Sequence, residues 1–295
     1  MASADTQPRP SSASDSEPEE PPKPSPSMLT PAASSLGHRP FPPVMGLYVN
    51  SSGVLSALTS FKLCGASAAD FLYLVEVHFG YTARGPLGFG HGYYLRDGTS
   101  SRDAVLAATG DEVPLRFPFS MLRGKLVVLL PPLDAGGDVD KVREVLQPAT
   151  SKAHGVVFRF AVEVGVGAMR REEFEWRKRE KVKKADADED RKAGRHFRLC
   201  RPPSAAPGAA SSSSSPPPPA GTPADGEILA ELVIEKTTNL RRPLSLELKG
   251  AALTGELGPR WTLMVVMTAL GLLWLHHQGR TIKGTVALKE KMRGK

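Results

Sequence analysis

Cysteine is scarce. Cys64 and Cys200 are the only two, they stand far apart, and neither belongs to a CxxC pair. That excludes the common structural zinc sites and the CxxC redox motif. Two reduced thiols in an intracellular protein are expected, and a Cys64–Cys200 disulfide is the other arrangement the sequence allows. Aromatic residues make up only 6%, and none accompanies the basic residues of the C-terminal tail. Nucleic acid is therefore not an expected partner. Catalytic signatures are missing too: no GxSxG, HExxH or Walker lysine occurs. GPLGFGHGY (85–93) is glycine-rich, but its spacing is not GxGxxG and no helical pattern follows, so it reads as a hairpin tip. His78, His91, His154 and His196 are dispersed without ligand spacing, and no EF-hand loop is present. No metal, cofactor or catalytic residue is expected. The first residues have no apolar core and carry Asp5, Asp15, Glu17, Glu19 and Glu20, which fits neither a secretory signal nor a mitochondrial presequence. These absences point to a non-enzymatic, monomeric, intracellular protein, cytoplasmic or peripheral to a membrane.

Proline, by contrast, is abundant and unevenly spread, with 27 residues dense before residue 45 and again from 202 to 223. Residues 1–40 are rich in Ser, Pro, Ala and Glu without periodicity, and a disordered tail is expected there. The same holds for much of 179–226, where the mixed charge run REKVKKADADEDRKAGR (179–195) precedes a Ser/Pro-rich stretch. What remains is one domain over 41–285 carrying that stretch as an insertion, followed by a basic tail over 286–295.

Short apolar segments, mostly alternating, fill the domain. VMGLYVN (44–50), ADFLYLVEVHF (69–79), GYYLRDG (92–98), AVLAATG (104–110), LRFPFSML (115–122) and KLVVLLP (125–131) read as strands. So do GVVFRFAVEV (155–164), EEFEWRK (172–178), HFRLCRP (196–202), EILAELVIEK (227–236) and PLSLELKG (243–250). Asp97-Gly98, Gly110-Asp111, Gly124 and Gly165-Val166-Gly167 are turn signals. In EEFEWRK the alternation puts Phe174 and Trp176 on a core face, with Glu173, Glu175 and Arg177 outward. Glu172, Glu173 and Glu175 beside Arg170, Arg171 and Arg177 read as surface charges of a strand. About eleven strands without intervening amphipathic helices predict a mostly β fold, a barrel or sandwich.

One segment is different. Gly258-Pro259-Arg260 leads into WTLMVVMTALGLLWLHHQ, and Pro259 suits the first turn of a helix over 259–278. The run from Trp261 to Leu275 is apolar on every side, so it belongs inside a protein or inside a membrane. About fifteen residues span roughly 22 Å, short of the hydrocarbon core of about 30 Å. A core helix is therefore expected, with Trp261, Leu263, Val266, Leu270, Leu273 and Trp274 in the core. The competing reading is a single-pass tail anchor beneath a cytosolic β domain. His276 and His277 would sit in the last turn, where imidazolium meets the negative end of the helix dipole.

A strand-rich chain ending in one wholly apolar helix resembles the tubby-like C-terminal superfamily, which includes tubby-like proteins, LURP-one-related proteins and phospholipid scramblases. The resemblance is carried by the hairpin YYLRDGTSSRDAVLAAT, the pair FRFAVEV and FEWRK, and the helix WTLMVVMTALGLLWL. It implies a closed antiparallel β-barrel of about 11–12 strands around the C-terminal helix. It also implies a non-catalytic binding module, with lipid handling of the scramblase kind as a further implication. Independently, Arg280, Lys283, Lys289, Lys291, Arg293 and Lys295 cluster in the tail against Glu290 alone. Such a cluster attracts anionic phospholipid, so the tail rather than the barrel is expected to supply any affinity for anionic membranes. An unidentified protein partner is the other expected ligand.

Overall fold

The computed structural model describes residues 38–50, 59–78, 91–111, 126–133, 143–166, 169–179, 194–202, 226–235 and 241–279. The expected strand 115–122, most of the tail 1–40 and the basic residues from Arg280 onward lie outside these. Twelve strands follow one another: Val44–Val49 (β1), Ser60–Cys64 (β2), Phe71–His78 (β3), His91–Arg96 (β4), Val105–Asp111 (β5) and Leu126–Leu129 (β6). Then come Arg143–Ser151 (β7), Gly155–Val164 (β8), Arg170–Lys178 (β9), Arg195–Arg201 (β10), Glu227–Ile234 (β11) and Leu244–Leu248 (β12). A 3-10 turn at Gly250–Leu253 leads to one long helix, α1, at Gly258–His277.

Each strand pairs antiparallel with the one before it, and β1 closes on β12 through Met45↔Leu246 and Leu47↔Leu244, giving a closed twelve-stranded barrel. Closure removes the sheet edges that would otherwise invite pairing with other chains. Several strands, β8 and β12 among them, alternate as half-buried strands must, whereas β5 and β6 are buried at every position. Along β8, Val156, Phe158, Phe160, Val162 and Val164 point inward; Phe160 stands opposite Phe174 of β9, and Phe158 opposite Trp176. The hairpin of β4 and β5 and the pair of β8 and β9 lie where the sequence places them.

Two strands escaped the pattern. β2 has only five residues. β7 contains Pro148, which a central strand excludes. The register explains its tolerance: residues 143–146 of β7 pair with β6, whereas 147–151 pair only with β8 among the described residues. Among the described residues, Pro148 therefore sits where the strand has a single neighbour, β8. Gly110-Asp111 is not a turn, because both residues belong to β5. Gly110 faces Gly92 across the sheet, and a Cβ added at Gly92 would lie 2.0 Å from the Thr109 carbonyl oxygen and 2.5 Å from the Gly110 Cα. β10 falls inside 179–226, so two separate connections flank a wall strand there.

α1 fills the barrel. Its 20 residues span about 30 Å at 1.5 Å each, so the apolar run alone undercounts the helix. By length and composition it could cross a membrane, but its surroundings are protein on every side. Trp261, Leu263, Val266, Leu270 and Leu273 are buried. Trp274 is partly buried, and its indole N–H donates to Asp111 Oδ2 at 2.9 Å. On one side Trp261 meets Phe174 edge-on at 5.8 Å, and Trp176 Nε1 donates to Thr268 Oγ1 at 3.0 Å. On another side Gly271 lets the helix approach β5 and β6, since a Cβ there would lie 2.6 Å from Leu126 and 3.0 Å from Thr109 Oγ1. Burying each large apolar side chain stabilises the fold by about 1.5–3 kcal/mol, and the inner wall and helix form one continuous core. Both cysteines are buried, and no disulfide joins them.

Candidate binding surfaces at the two ends of the barrel

Because α1 occupies the interior, ligands and partners must be met at the outer wall or at the two ends. The ends are chemically distinct. Antiparallel order sends alternate connections to opposite ends, and α1 fixes which is which. It begins against the connection after β8, where Gly165 N donates to the Leu257 carbonyl at 3.1 Å. It finishes beside the last residue of β5, where Trp274 and Gln278 both reach Asp111.

Around the start of α1, acids and bases interlock. Arg260, 4% exposed, donates Nε to Glu163 at 3.1 Å and Nη1 to the Pro131 carbonyl at 2.6 Å. Glu163 also accepts from Arg171 Nη1 at 2.6 Å, and Arg171 Nη2 reaches Glu144 at 2.6 Å. Burial alone would raise the Glu163 carboxyl; its backbone hydrogen bond and the two guanidinium groups instead hold it below the ordinary carboxylate value. Arg201 bridges Glu172 and Glu227, each at 3.2 Å. On the outer wall nearby, Glu175 is buried beneath Arg159 and Arg177 at 2.7 and 2.8 Å, so it is not the exposed strand charge that alternation suggests. Val44, Leu133, Val166, Met169 and Leu253 are exposed at this end, and among the described residues they are the exposed large apolar side chains.

Around the finish of α1 the balance is basic. The strand ends and turns there carry Lys152, Lys178, Arg179, Arg195, Arg241 and Arg242, against Asp111 and Glu235 among the described residues. Arg195 and Lys178 lie close enough to His276 that, after burial and together with His277, they push its imidazole down to about 4. His277 is lowered by burial as well. Both rings are therefore neutral near pH 7, and the imidazolium–dipole attraction expected of a last turn is not what they supply. His78 and His91, at the same end, are also lowered chiefly by burial.

A groove of about 560 Å³ crosses the outer wall over β3 and β4, but its arginine is already engaged. Arg96 reaches Glu76 at 2.6 Å and the Asp103 carbonyl at 3.0 Å. Among the described residues, no cluster of His, Cys, Asp or Glu is arranged to hold a metal.

Arg280, Lys283, Lys289, Lys291, Arg293 and Lys295 lie outside the described residues. The last described residues, Gln278 and Gly279, deliver the chain to the basic end. Sequence reading missed the convergence of Lys178, Arg195 and Arg241, which are distant in the chain. Its signal was available, because in an antiparallel meander every second connection shares an end. The class of the protein follows from the fold: a closed antiparallel barrel of twelve strands around a C-terminal helix. No family model, curated protein or solved structure matches the chain.

Proposed function

We propose that the chain is a non-catalytic binding module that docks on anionic phospholipid with the barrel end where α1 finishes, and that it is a divergent relative of the tubby-like superfamily. The kinship is supported by the closed ring and the helix inside it. The docking is supported by one observation, the charge polarity of the barrel. Acids and bases cancel at the start of α1, while Lys178, Arg179, Arg195, Arg241 and Arg242 gather at its finish, where the tail bearing Arg280 and Lys283 departs. Each basic residue close to an anionic surface contributes about 1 kcal/mol, so end and tail act together, in place of the tail alone to which the sequence points. With its core filled, the barrel offers surfaces rather than a lumen, which favours recognition over catalysis.

Sedimentation with phosphatidylserine vesicles tests the reading. Neutralising Lys178, Arg195 and Arg241 together by glutamine is expected to weaken binding about a hundredfold, from about 3 kcal/mol of lost attraction, and salt should weaken the wild type. Binding indifferent to both would reject it.

A further inference from the structure

We propose that acidification strengthens docking on anionic phospholipid, because six histidines gathered around the finish of α1 take up protons and add their charge to the basic end. The inference rests on the docking reading and adds its regulation. The chain has seven histidines, and the fold brings all but His38 to one end of the barrel. His78 closes β3 and His91 opens β4. His154 lies in the turn between β7 and β8, and His196 is the second residue of β10. His276 and His277 end α1. None of the six is fully buried. In the sequence they are dispersed; only the closed ring collects them beside Lys178, Arg179, Arg195, Arg241 and Arg242.

An imidazole changes charge near pH 6.5, and in the unbound protein the surroundings of these rings favour the neutral form. At His78, His91, His276 and His277 burial is the chief cause. Like charge adds to it. Arg195 of β10, Lys178 of β9 and the adjoining His277 face His276. His91 of β4 faces His78 of β3, beside the ion pair of Glu76 and Arg96. At His91 the Asp111 carboxylate of β5 acts the other way, but it also accepts from Trp274 and Gln278 of the helix end. His196 follows Arg195 and has Arg179 across the ladder, whose N–H donates to the His196 carbonyl at 3.0 Å. His154 shares its turn with Lys152. An anionic surface opposes this field and favours the protonated rings. The effect is reciprocal: whatever the lipid adds to proton affinity, protons add to lipid affinity by the same factor.

The tail contributes nothing to this change. Residues 278–295 contain no histidine, and Lys and Arg keep their charge throughout the range in which imidazoles titrate. A pH-dependent affinity therefore reports the barrel end and separates it from the tail.

Sedimentation of the full chain with phosphatidylglycerol vesicles, whose headgroup charge stays constant between about pH 7.5 and about pH 5.5, tests the proposal. Binding should be about tenfold or more tighter at the lower pH, the gain expected from one or two added charges close to the surface. The variant carrying His154→Gln, His196→Gln and His277→Gln should shrink that ratio by about threefold or more. Titration calorimetry of the wild type at about pH 6, in buffers of different ionisation enthalpy, should show about one proton or more taken up per bound chain. This measurement decides the matter even if the variant does not fold. Salt-sensitive binding that is no tighter at the lower pH, a variant that keeps the full ratio, or binding without proton uptake overturns the proposal and leaves docking itself standing. Absence of binding at both pH values overturns both.

Discussion

Thr268 and Trp176 show how single residues lock the helix to the wall. The Trp176 indole N–H is buried and has Thr268 Oγ1 as its acceptor, at 3.0 Å. Thr268→Val keeps the shape and removes the acceptor, so about 1–3 kcal/mol of stability should be lost. Adding Trp176→Phe removes the orphaned donor and should cost less than the sum of the two single changes, as for any directly coupled pair. Urea unfolding of the four proteins measures this, and strict additivity would refute the coupling. Gly92 is a second such position. A methyl group there meets backbone, at 2.0 Å from the Thr109 carbonyl oxygen, and backbone cannot turn away as a side chain can. Gly92→Ala should therefore destabilise the fold by several kcal/mol despite the modest change in volume, and a melting temperature within a degree of wild type would contradict the close approach. Neither effect was legible in the sequence, where Gly110 resembles a turn residue and Thr268 a polar break in an apolar run.

At the scale of elements, α1 decides the fold. Its apolarity on all sides was readable, and so was its place after the last strand. Its surroundings were not, because core and bilayer select the same side chains; only the burial of Leu270 and Leu273 inside the ring separates them. Leu270→Asp places an unpaired charge there, at a cost of several kcal/mol against a total of about 5–15. The substitution is expected to abolish the cooperative unfolding transition, and a folded, protease-resistant Leu270→Asp domain would speak for a helix outside the barrel. The end of α1 makes a second prediction. His276 is held at about 4 by burial, then by Arg195, His277 and Lys178, whereas the unfolded chain binds that proton near pH 6.5. Between these values the unfolded state binds more protons, so stability falls as the pH drops from 6.5 towards 4. His78, His91 and His277 act in the same direction. The melting temperature should decline across this window, and His276→Asn should make the decline shallower. A flat or rising profile would contradict the assignment. Alternation revealed most strands, whereas β7 was hidden by Pro148, a residue that local sequence reading excludes from a central strand.

For the whole molecule, the closed ring turns a scatter of charges into a polarity. In sequence, Lys178, Arg195 and Arg241 are isolated basic residues near turns; in the barrel they share one end with the C-terminus of α1. The opposite end offers exposed apolar side chains and an apolar cavity. The two ends thus predict opposite behaviour towards an anionic bilayer, and orientation is the most direct test of the docking reading. A fluorophore attached to Ala153→Cys, in the turn between β7 and β8, reports the basic end. One attached to Ser101→Cys, between β4 and β5, reports the other. Both sites are exposed, and the native Cys64 and Cys200 are buried. On phosphatidylserine vesicles the Ala153 label should become shielded from iodide quenching while the Ser101 label stays as accessible as in solution; shielding at Ser101 instead, or equally at both, would contradict docking through the end where α1 finishes.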